Sequence, residues 1–566
     1  MPPDGGFFLG LFLGMQYTLG LGVLLVSFFQ NFSAPPWRAA HGEIFAFLAV
    51  CLWSSSAVRN RTAQLSRTPP VTALLCVAIL IPLQYFLGQI FFGGDAIALF
   101  IYVLLCLGAL LVGQLYAKDP KWPCALALAL LFAALGCALI ALGQTLWVWN
   151  DSGWFFPTSS YRRPGANLGQ PNHLATLLVM GAASLIYLDQ KLKITRPVLL
   201  LLGFLLLMGL GIAESRTGLL SGVSLAFWWF WRGKVLPTRP RWSWIAGSVV
   251  ALITFMWIWP HMIVSIHEGG FTTNGVGLNT AAGSRLLMWP QLWEAVSVRP
   301  WVGWGLRGTS VALDAVVASH LVSAPFAYAH NFILELAIGV GIPLTVITLV
   351  VLGIWGWTRL KSVHTPEAWY SVGLLVPFVI HNMLEYPFAY AYFLVPAMLA
   401  VGMLEHSYSP PIGNKISKMV LSCNLIIFSG LLIGMSVEYL EIEEDYQVAR
   451  FEALSVGKTA ADYERPHIVI LTQLKALLEV TRIVPHPNMS HDNLQLLRST
   501  AARFPWAPVQ NGYALSAALN GDLPEAQRQL KVMRAMHGEK SYAAIRAQWD
   551  TLAHEKYAQL QGLAPP

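Results

Sequence analysis

The stretch "LLLLGFLLLMGLGIAESRTGLLSGVSLAFWWF", residues 199–230, sets two long apolar runs on either side of the short polar segment ESRTG. A helix needs about 20 mostly apolar residues to cross a bilayer. The pattern therefore predicts two membrane-spanning helices, 194–213 and 217–232, joined by a tight turn at 214–218. The same alternation of apolar runs and short polar segments continues along most of the chain.

The composition assigns the whole chain to the membrane class. Of its 566 residues, 55% are hydrophobic and only 11% are charged, and the mean hydropathy is +0.55. Soluble proteins carry about 25% charged residues. The net charge of +7 does not indicate a nucleic-acid partner, because the basic residues lie in short loops between apolar runs. The solvent for most of the chain is therefore expected to be lipid.

About thirteen apolar runs are long enough to be membrane spans, which predicts an all-α polytopic membrane protein. The predicted spans are 7–29, 43–58, 70–92, 95–117, 122–148, 171–188, 194–213, 217–232, 243–260, 331–357, 368–383, 386–405 and 415–437.

The distribution of positive charge predicts the orientation. With a cytoplasmic N-terminus, sixteen Lys and Arg residues fall in the inside loops. The short outside loops then hold only four, namely Arg38, Arg162, Arg163 and Arg216. Cytoplasmic loops carry an excess of Lys and Arg. An odd number of spans places the C-terminus outside.

Three segments on the predicted outer side are long: 149–170, about 261–330, and 438–566. The last is charged and has helical periodicity, so we expect a soluble helical domain at 438–566 after a membrane domain at 1–437. Within it, Asn520-Gly521-Asp522 is typical of a helix end followed by a new start. The paired helices around this turn resemble a single tetratricopeptide repeat.

No metal site or cofactor is predicted. The six cysteines contain no CxxC pair and lie in or beside apolar runs, which is typical of buried, unpaired cysteines. No cluster of carboxylates has the spacing of oxygen ligands.

Two polar segments stand out on the predicted outer side, where polar side chains are costly and often functional. "NLGQPNHLAT", residues 167–176, places Gln170, Asn172 and His173 at the start of a span. Helix capping accounts for Asn172 but not for all three. Arg216 lies in the tight ESRTG turn, either against lipid headgroups or positioned for a phosphate, whose geometry its planar fork matches.

The loop before residue 330 supplies further candidates. The Trp-rich amphipathic segment 281–306 is predicted to lie along the membrane interface, with Arg285 as a second phosphate contact. In "YAHNFILELAIGVGIPL", residues 328–344, His330 and Asn331 open a span and Glu335 follows one turn later. His330 is either a satisfied residue at a helix start or a proton acceptor near neutral pH.

A last polar segment is "HNMLEYPFAYAYF", residues 381–393. His381, Glu385 and Tyr386 fall at a turn between two predicted spans. Tyr390 and Tyr392 are interpreted as residues of the aromatic belt at the membrane surface. All of these segments fall on the same predicted side of the membrane, which favours one polar site over solvated connectors.

Together these motifs resemble one family. "GQPNHLAT", "SRTG", the His-Asn pair at 330–331 and "LEYPFAYAYFL" are similar to the bacterial protein O-oligosaccharyltransferases of the PglL type, in the O-antigen ligase and polymerase superfamily. The resemblance covers about residues 160–405. The segment 438–566 resembles the additional C-terminal region of this branch.

The resemblance implies a glycosyltransferase of the bacterial inner membrane with its active site in the periplasm. It implies en bloc transfer of a glycan from undecaprenyl diphosphate to a Ser or Thr of a periplasmic protein, such as a pilin, without a metal. It implies His330 as the catalytic histidine, Gln170 and Tyr386 as essential residues, and Arg216 beside the diphosphate. The other proposed substrate contacts are Arg285, His173, Asn331 and Asn172.

Two other functions stay open. An O-antigen ligase acting on lipid A-core, or a glycan polymerase, would use the same motifs. A transporter of lipid-linked sugars is a different class, but it would place charged residues or broken helices near the bilayer midplane. The polar residues here gather at one predicted face, which is not what a transporter predicts. For a transferase, direct displacement at the anomeric carbon by an activated hydroxyl predicts inversion of its configuration.

Overall fold

The computed structural model describes residues 5–59, 68–148, 153–156, 163–237, 242–266, 284–408 and 418–563. These residues form α-helices, short 3₁₀ turns and loops, and none of them is in a β-strand. The α-helices in chain order are α1 (Gly5–Phe29), α2 (Ala40–Arg59), α3 (Pro69–Phe86), α4 (Gly93–Tyr116), α5 (Lys121–Thr145), α6 (Pro171–Leu192), α7 (Arg196–Ala213), α8 (Arg216–Arg232), α9 (Trp242–Ile266), α10 (Ser284–Val298), α11 (Thr309–Val316), α12 (Phe332–Lys361), α13 (Pro366–Leu384), α14 (Ala391–Tyr408), α15 (Lys418–Ala453), α16 (Thr472–Val480), α17 (His491–Arg503), α18 (Ala507–Leu519) and α19 (Leu523–Glu555).

The helices confirm an all-α polytopic membrane protein. Within the described residues, eight helices are long and apolar enough to cross a membrane: α3, α4, α5, α6, α7, α9, α12 and α15. The other five predicted spans coincide with α1, α2, α8, α13 and α14, which are also helical. A total of thirteen spans remains a prediction.

The turn inside the opening stretch forms as its residues predict. Helix α7 ends at Ala213, and Glu214 takes a left-handed conformation with φ 44°. Ser215 then caps α8, its hydroxyl oxygen accepting a hydrogen bond from the Gly218 N–H at 3.0 Å. A serine at this position satisfies an N–H that has no partner within the helix. Arg216 is therefore the first residue of a helix that follows the previous one after only two residues.

The described chain divides into two compact units, the first formed by residues 1–75, 101–281 and 351–432. Helix α6 is central to this unit, since 78% of the residues in its apolar stretch are buried inside the protein, compared with 22% for α3. It packs against α5, α7, α8 and α13. A Cβ atom on Gly181 of α6 would lie 2.4 Å from the Ala134 Cβ of α5. Small residues allow such close approach of helices in membranes.

The second unit comprises residues 76–100, 282–350 and 433–566. Its apolar core is built from helices that are far apart in sequence, and includes Met288, Leu292, Trp304, Leu313, Ile338 and Val532. A buried ion pair joins Arg503 of α17 to Asp95 of α4, with both N···O distances at 2.8 Å. The second unit is thus held by apolar packing and by paired charges.

The amphipathic segment predicted at 281–306 is helical only in its first part, since α10 ends at Val298 and residues 281–283 lie outside the described residues. Gly303 has φ 70°, and a Cβ there would lie 2.4 Å from the Ile338 carbonyl oxygen. The Trp304 N–H donates to that same oxygen at 2.7 Å. The close approach to the backbone of α12 requires glycine at position 303.

Helix α12 is itself interrupted. Gly341 has φ 80° and ψ 169°, so two helical segments meet there at a kink. The Ile342 N–H, which the break leaves without its helical partner, donates to the Pro300 carbonyl oxygen at 2.7 Å.

The predicted helix end at residues 520–522 is confirmed. Helix α18 stops at Leu519, Gly521 has φ 90°, and the Asp522 carboxylate accepts from the Glu525 N–H at the start of α19. Helix α15 runs without a break through position 437, so a domain boundary there remains a prediction, as does the tetratricopeptide resemblance.

All six cysteines are free, as expected. Burial holds for Cys106 and Cys137 only, and the prediction is wrong for Cys76 and Cys423, which are exposed on their helices.

Candidate functional site

A buried polar cluster in the first unit gathers much of the predicted site. We call it the Glu385 cluster, and it consists of Gln170, Asn172, His173, Thr176, His381, Glu385 and Tyr392. Gln170 and Pro171 begin α6, and proline is favoured in the first turn because its missing N–H has no helical partner there. His381 lies in the last turn of α13, and Glu385 directly follows that helix. Two helix ends thus meet with their polar residues facing each other.

The Glu385 carboxylate is the centre of this cluster. It accepts hydrogen bonds from Gln170 Nε2 at 2.6 Å, from Asn172 Nδ2 at 2.6 Å and from His381 Nε2 at 3.1 Å. Burial raises the pKa of this carboxyl group, but the hydrogen bonds from His381 and Gln170 and the charges of His381 and His173 together lower it more, so the net pKa lies far below its usual range. Glu385 is therefore ionised at neutral pH.

Asn172 does not cap α6, so the capping interpretation of this residue is wrong. Gln170 occupies the cap position, and no side chain makes a capping hydrogen bond there. The Asn172 carbonyl oxygen instead accepts from the Ser215 hydroxyl at 2.6 Å. Since Ser215 caps α8, a continuous hydrogen-bonded path joins Glu385 to the helix that begins with Arg216.

His173 is buried and hydrogen-bonded inside the cluster. Its Nδ1 lies 2.9 Å from the Tyr392 hydroxyl, and its ring centroid lies 4.4 Å from that of Tyr390. Tyr392 is only 5% exposed. Its assignment to the aromatic belt is therefore wrong, because a belt tyrosine would keep its hydroxyl at the membrane surface.

Tyr386 follows Glu385 and stands beside the cluster without entering its core. Its ring stacks on Tyr390, with centroids 5.9 Å apart and the planes at 21°. Tyr390 in turn contacts His173, so the three rings form a continuous wall on this side of the cluster.

Arg163 is a functional candidate that the sequence reasoning missed. Its Nε donates to the Ala213 carbonyl oxygen at 3.2 Å, at the end of α7 and beside the turn that holds Arg216. Burial lowers the pKa of this guanidinium, Glu214 and Glu385 raise it, and the like charge of Arg216 lowers it further. The charge of Arg216 therefore acts on the Arg163 guanidinium. The sequence by itself identifies Arg163 only as a charge in an outside loop.

His330 and Asn331 lie in the second unit, and the segment that bears them is firmly held. The side-chain oxygen of Asn331 accepts from the Leu334 N–H at 3.0 Å, so Asn331 caps α12. The Ala329 N–H donates to the Glu335 carboxylate at 2.6 Å, and the Ala329 carbonyl oxygen accepts from Trp289 Nε1 at 2.9 Å. His330 has φ 54°, a conformation that these flanking bonds stabilise.

The basic residues of the outer loop also lie in the second unit. Arg299 stacks over the Trp304 ring at 4.1 Å, and Arg307 hydrogen-bonds to the Tyr328 hydroxyl, so both have structural partners. Arg285 is the second residue of α10 and is half-buried. The structure thus divides the predicted residues: Gln170, Asn172, His173, Arg216 and Tyr386 belong to the first unit, and Arg285, His330 and Asn331 belong to the second.

The Glu385 cluster also contains the one group of potential metal ligands found among the described residues. His173, His381 and Glu385 each offer a ligand atom, and these atoms lie within 4.8 Å of one another. The ring nitrogens of the two histidines already have hydrogen-bond partners. His173 Nδ1 lies near the Tyr392 hydroxyl, His381 Nδ1 near the Thr176 hydroxyl, and His381 Nε2 near the Glu385 carboxylate. The hydrogen bonds account for the cluster by themselves, and the absence of a cofactor remains a prediction.

Comparison with known families locates the same regions. Residues 164–188 match the family described as protein glycosylation ligase, residues 198–349 match O-antigen ligase, and residues 369–551 match the C-terminal part of virulence factor membrane-bound polymerase. The first match contains Gln170 and His173, the second contains Arg216 and His330, and the third contains Glu385.

Two curated relatives come from Acinetobacter baylyi (strain ADP1). The chain is 25% identical over 523 residues to a general O-oligosaccharyltransferase, covering 90% of this chain and 89% of the relative. It is 28% identical over 393 residues to a ComP-specific O-oligosaccharyltransferase, covering 66% of this chain and 68% of the relative.

The helical fold, the buried polar site and these matches define a multi-pass membrane enzyme of the glycosyltransferase type. Within that class the chain is similar to O-antigen ligases and to protein O-oligosaccharyltransferases, which confirms the resemblance found in the sequence.

Proposed function

We propose that this enzyme transfers a preassembled oligosaccharide en bloc from undecaprenyl diphosphate to Ser or Thr hydroxyls of periplasmic proteins, such as a pilin. The similarity to a general O-oligosaccharyltransferase over 90% of the chain, including the C-terminal region, supports a protein acceptor. The positive-inside bias supports an inner-membrane location with the N-terminus in the cytoplasm and the active site in the periplasm.

The observation that carries this proposal is the pair of arginines at the turn between α7 and α8. Arg163 is bonded to the last residue of α7, and Arg216 is the first residue of α8. Guanidinium groups match the oxygens of a phosphate through paired hydrogen bonds. The leaving diphosphate gains negative charge as its bond to the sugar breaks, and fixed positive groups stabilise that charge most in a poorly solvated site.

In this proposal His330 is the general base. The oxygen of the acceptor hydroxyl attacks the anomeric carbon, its proton passes to the imidazole, and the carbon–oxygen bond to the diphosphate breaks with its electron pair on the leaving oxygen. Direct displacement inverts the anomeric configuration. Proton transfer by a positioned side chain contributes about 10²–10⁴-fold to a rate. Asn331 and Glu335 fix the backbone on either side of His330 and so aim its ring.

The remaining residues position substrate. Gln170, Asn172, His173 and Tyr386 offer hydrogen-bonding and aromatic surfaces suited to sugar, and Arg285 is a further diphosphate contact. No step of this proposal requires a metal. Treating the purified enzyme with EDTA is therefore expected to leave its rate unchanged, and a loss that Mg²⁺ or Mn²⁺ restores would contradict this part.

The experiment expresses the chain with a lipid-linked glycan pathway and a candidate pilin, in a host without its own transferase or O-antigen ligase. The intact mass of the pilin is expected to rise by the mass of one glycan. An unmodified pilin together with new glycan on lipid A-core would overturn the protein acceptor. If neither product forms although the lipid-linked glycan accumulates, the transferase proposal fails.

A second candidate function is an O-antigen ligase or a glycan polymerase. The matches of residues 198–349 and 369–551 to families with those descriptions favour it. The lipopolysaccharide of the same cells distinguishes the two, since a ligase modifies lipid A-core and a polymerase lengthens the lipid-linked glycan. A transporter would leave all of these products unchanged.

A further inference from the structure

We propose that Glu385 is a positioning residue that locks the Gln170 amide in one orientation, so that the Gln170 carbonyl oxygen accepts a hydrogen bond from a hydroxyl or amide N–H of the substrate. This inference rests on the proposed transferase function and specifies what one side of its site recognises. It follows from the hydrogen bonds of the Glu385 cluster.

The Glu385 carboxylate determines which end of the Gln170 and Asn172 amides faces it. An ionised carboxylate only accepts hydrogen bonds, whereas an amide has one donor end and one acceptor end. Gln170 and Asn172 each lie 2.6 Å from a different oxygen of Glu385, so each must turn its NH₂ group toward it. Their carbonyl oxygens then point elsewhere.

The two carbonyl oxygens have different fates. That of Asn172 accepts from the Ser215 hydroxyl. That of Gln170, the atom Oε1, is shielded from solvent and has no hydrogen-bond partner among the described residues. A buried acceptor without a donor is unfavourable and rare. The Gln170 side chain as a whole is only half-buried, so a substrate can approach it.

His381 secures the same arrangement. The Thr176 hydroxyl donates to the backbone carbonyl oxygen of Asn172 at 3.0 Å, and its oxygen lies 2.7 Å from His381 Nδ1. The other ring nitrogen, Nε2, lies 3.1 Å from the Glu385 carboxylate, which only accepts, so this nitrogen donates to it. Glu385 therefore accepts from three side chains and offers no donor to Gln170.

Two substrate groups have the required chemistry. One is a hydroxyl or acetamido N–H of the transferred sugar, and the other is a backbone N–H of the acceptor protein beside the reacting hydroxyl, whose own proton goes to His330. Either group would donate a hydrogen bond to Gln170 Oε1.

The test is a double-mutant cycle of Glu385→Gln and Gln170→Ala in the full-length enzyme, with kcat and KM measured for donor and acceptor. A glutamine at 385 has one neutral acceptor oxygen for the three donors that Glu385 binds, so the charge-assisted hydrogen bond that fixes the Gln170 amide is lost. With Gln170 present, Glu385→Gln is expected to lower kcat/KM by about 10²-fold, the size of effect that a displaced positioning group produces. In the Gln170→Ala background it is expected to change kcat/KM by less than about threefold, since non-additive effects identify residues that act through each other.

Two further variants separate positioning from folding. Glu385→Asp keeps an acceptor-only charge and is expected to retain more activity than Glu385→Gln. The matched control is Glu405→Gln, a second buried glutamate of the first unit that hydrogen-bonds to Arg359 and Trp355, and its kcat/KM is expected to match the wild type. Detergent-solubilised variants are compared at equal amounts of folded protein.

Each outcome decides the proposal. Equal losses from Glu385→Gln in both backgrounds, or greater loss with Glu385→Asp than with Glu385→Gln, would overturn it. A loss of kcat/KM for the lipid-linked donor alone would show that the sugar donates the hydrogen bond to Gln170. A loss for the acceptor alone would show that the acceptor donates it. If the wild type glycosylates lipid A-core in place of protein, the proposed acceptor fails, but the same cycle measured on that product still tests the coupling of Glu385 to Gln170.

Discussion

Two buried glutamates of the first unit differ in what surrounds them. Glu405, near the end of α14, accepts from Arg359 Nε at 2.6 Å, from Arg359 Nη2 at 2.9 Å and from Trp355 Nε1 at 2.7 Å. Glu385, in the turn before α14, accepts from two amides and a histidine, and one of those amides still has an acceptor without a donor. Both side chains are nearly inaccessible to solvent.

The contrast separates a closed polar cluster at Glu405 from an open one at Glu385. At Glu405 the donors belong to an arginine fork and an indole, which have no acceptor ends to direct elsewhere. At Glu385 the donors belong to amides, and each amide turned toward the carboxylate presents a carbonyl oxygen on its other side. A closed cluster stabilises the fold, whereas an open one can bind a substrate.

The substitution with the largest expected effect, His330→Ala, tests whether the Glu385 cluster performs the chemistry by itself. His330→Ala is expected to lower the rate of glycan transfer by about 10²–10⁴-fold, because the acceptor hydroxyl would lose its base. The measurement is the initial rate of pilin glycosylation. His320→Ala is the matched control, since His320 lies in the same loop and pairs with Glu294 at 2.8 Å. A His330→Ala enzyme of near wild-type rate would transfer the role of base to the Glu385 cluster.

The closed cluster is tested through stability. Glu405→Gln leaves the charge of Arg359 without its partner in a poorly solvated place, and removing one member of a buried ion pair costs about 3–5 kcal/mol. We expect a lower midpoint of thermal unfolding in detergent and an unchanged specific activity of the protein that remains folded. A selective loss of turnover at an unchanged midpoint would show that the two glutamates do not differ as described.

The arginines beside the open cluster give a smaller effect. Arg216→Gln and Arg163→Gln are each expected to lower kcat/KM for the lipid-linked donor by about 10–10²-fold, because each removes one charge-assisted contact to the diphosphate, worth roughly 1.5–3 kcal/mol. The readout is kcat/KM at varied donor concentration. Arg196→Gln, at the opposite end of α7, is the control and is expected to have no effect. If Arg163→Gln equals this control, only Arg216 contacts the donor.

The smallest expected effect concerns a third, closed carboxylate. Glu525 accepts two hydrogen bonds from Arg528, which also donates to Asp314. Burial raises the pKa of Glu525, but the hydrogen bond and charge of Arg528, together with hydrogen bonds from Gln529 and Tyr513, lower it more, so its net pKa is below the usual value. Its stabilising effect is therefore present above the ordinary pKa of a glutamate, about 4.3, and is lost as the pH falls through the lowered value. We expect Glu525→Gln to lower stability by about 1 kcal/mol at pH 7, since Arg528 is partly exposed.

The check is the difference in unfolding midpoint between wild type and Glu525→Gln across that pH range. The difference should shrink toward zero as the pH falls below 4. A difference that grows on acidification would contradict the sign of the shift.

Local features of this fold were predictable from sequence, because they depend on neighbouring residues. The apolar runs that became α3 to α7, the serine-capped turn before Arg216 and the helix end at Asn520 are each encoded within a short segment. Pairings between distant segments were not. Gln170 and Glu385 are 215 positions apart, and neither segment alone indicates that the two side chains meet.

The wrong predictions share that cause. The sequence places Tyr392 at the membrane surface because aromatic residues near the end of a span usually lie there, whereas its partner His173 is 219 positions away. Arg163 looks like an ordinary loop charge in the sequence, because only the folded chain brings it to the end of α7. Local pattern favours Asn172 as a cap, because it does not indicate that the Asn172 amide hydrogen-bonds to Glu385 and Ser215.

The break in α12 has a consequence for how far the neighbouring turn can move. At Gly341 the helix gives up part of its own hydrogen bonding and uses those groups on residues 300–304, with the Ile338 carbonyl oxygen accepting from the Trp304 backbone N–H and the Ile342 N–H donating to the Pro300 carbonyl oxygen. A buried backbone group that loses its partner costs about 1–3 kcal/mol. Lifting residues 300–304 away from α12 would break both hydrogen bonds at once. We therefore expect this turn to stay against α12 rather than to open and close.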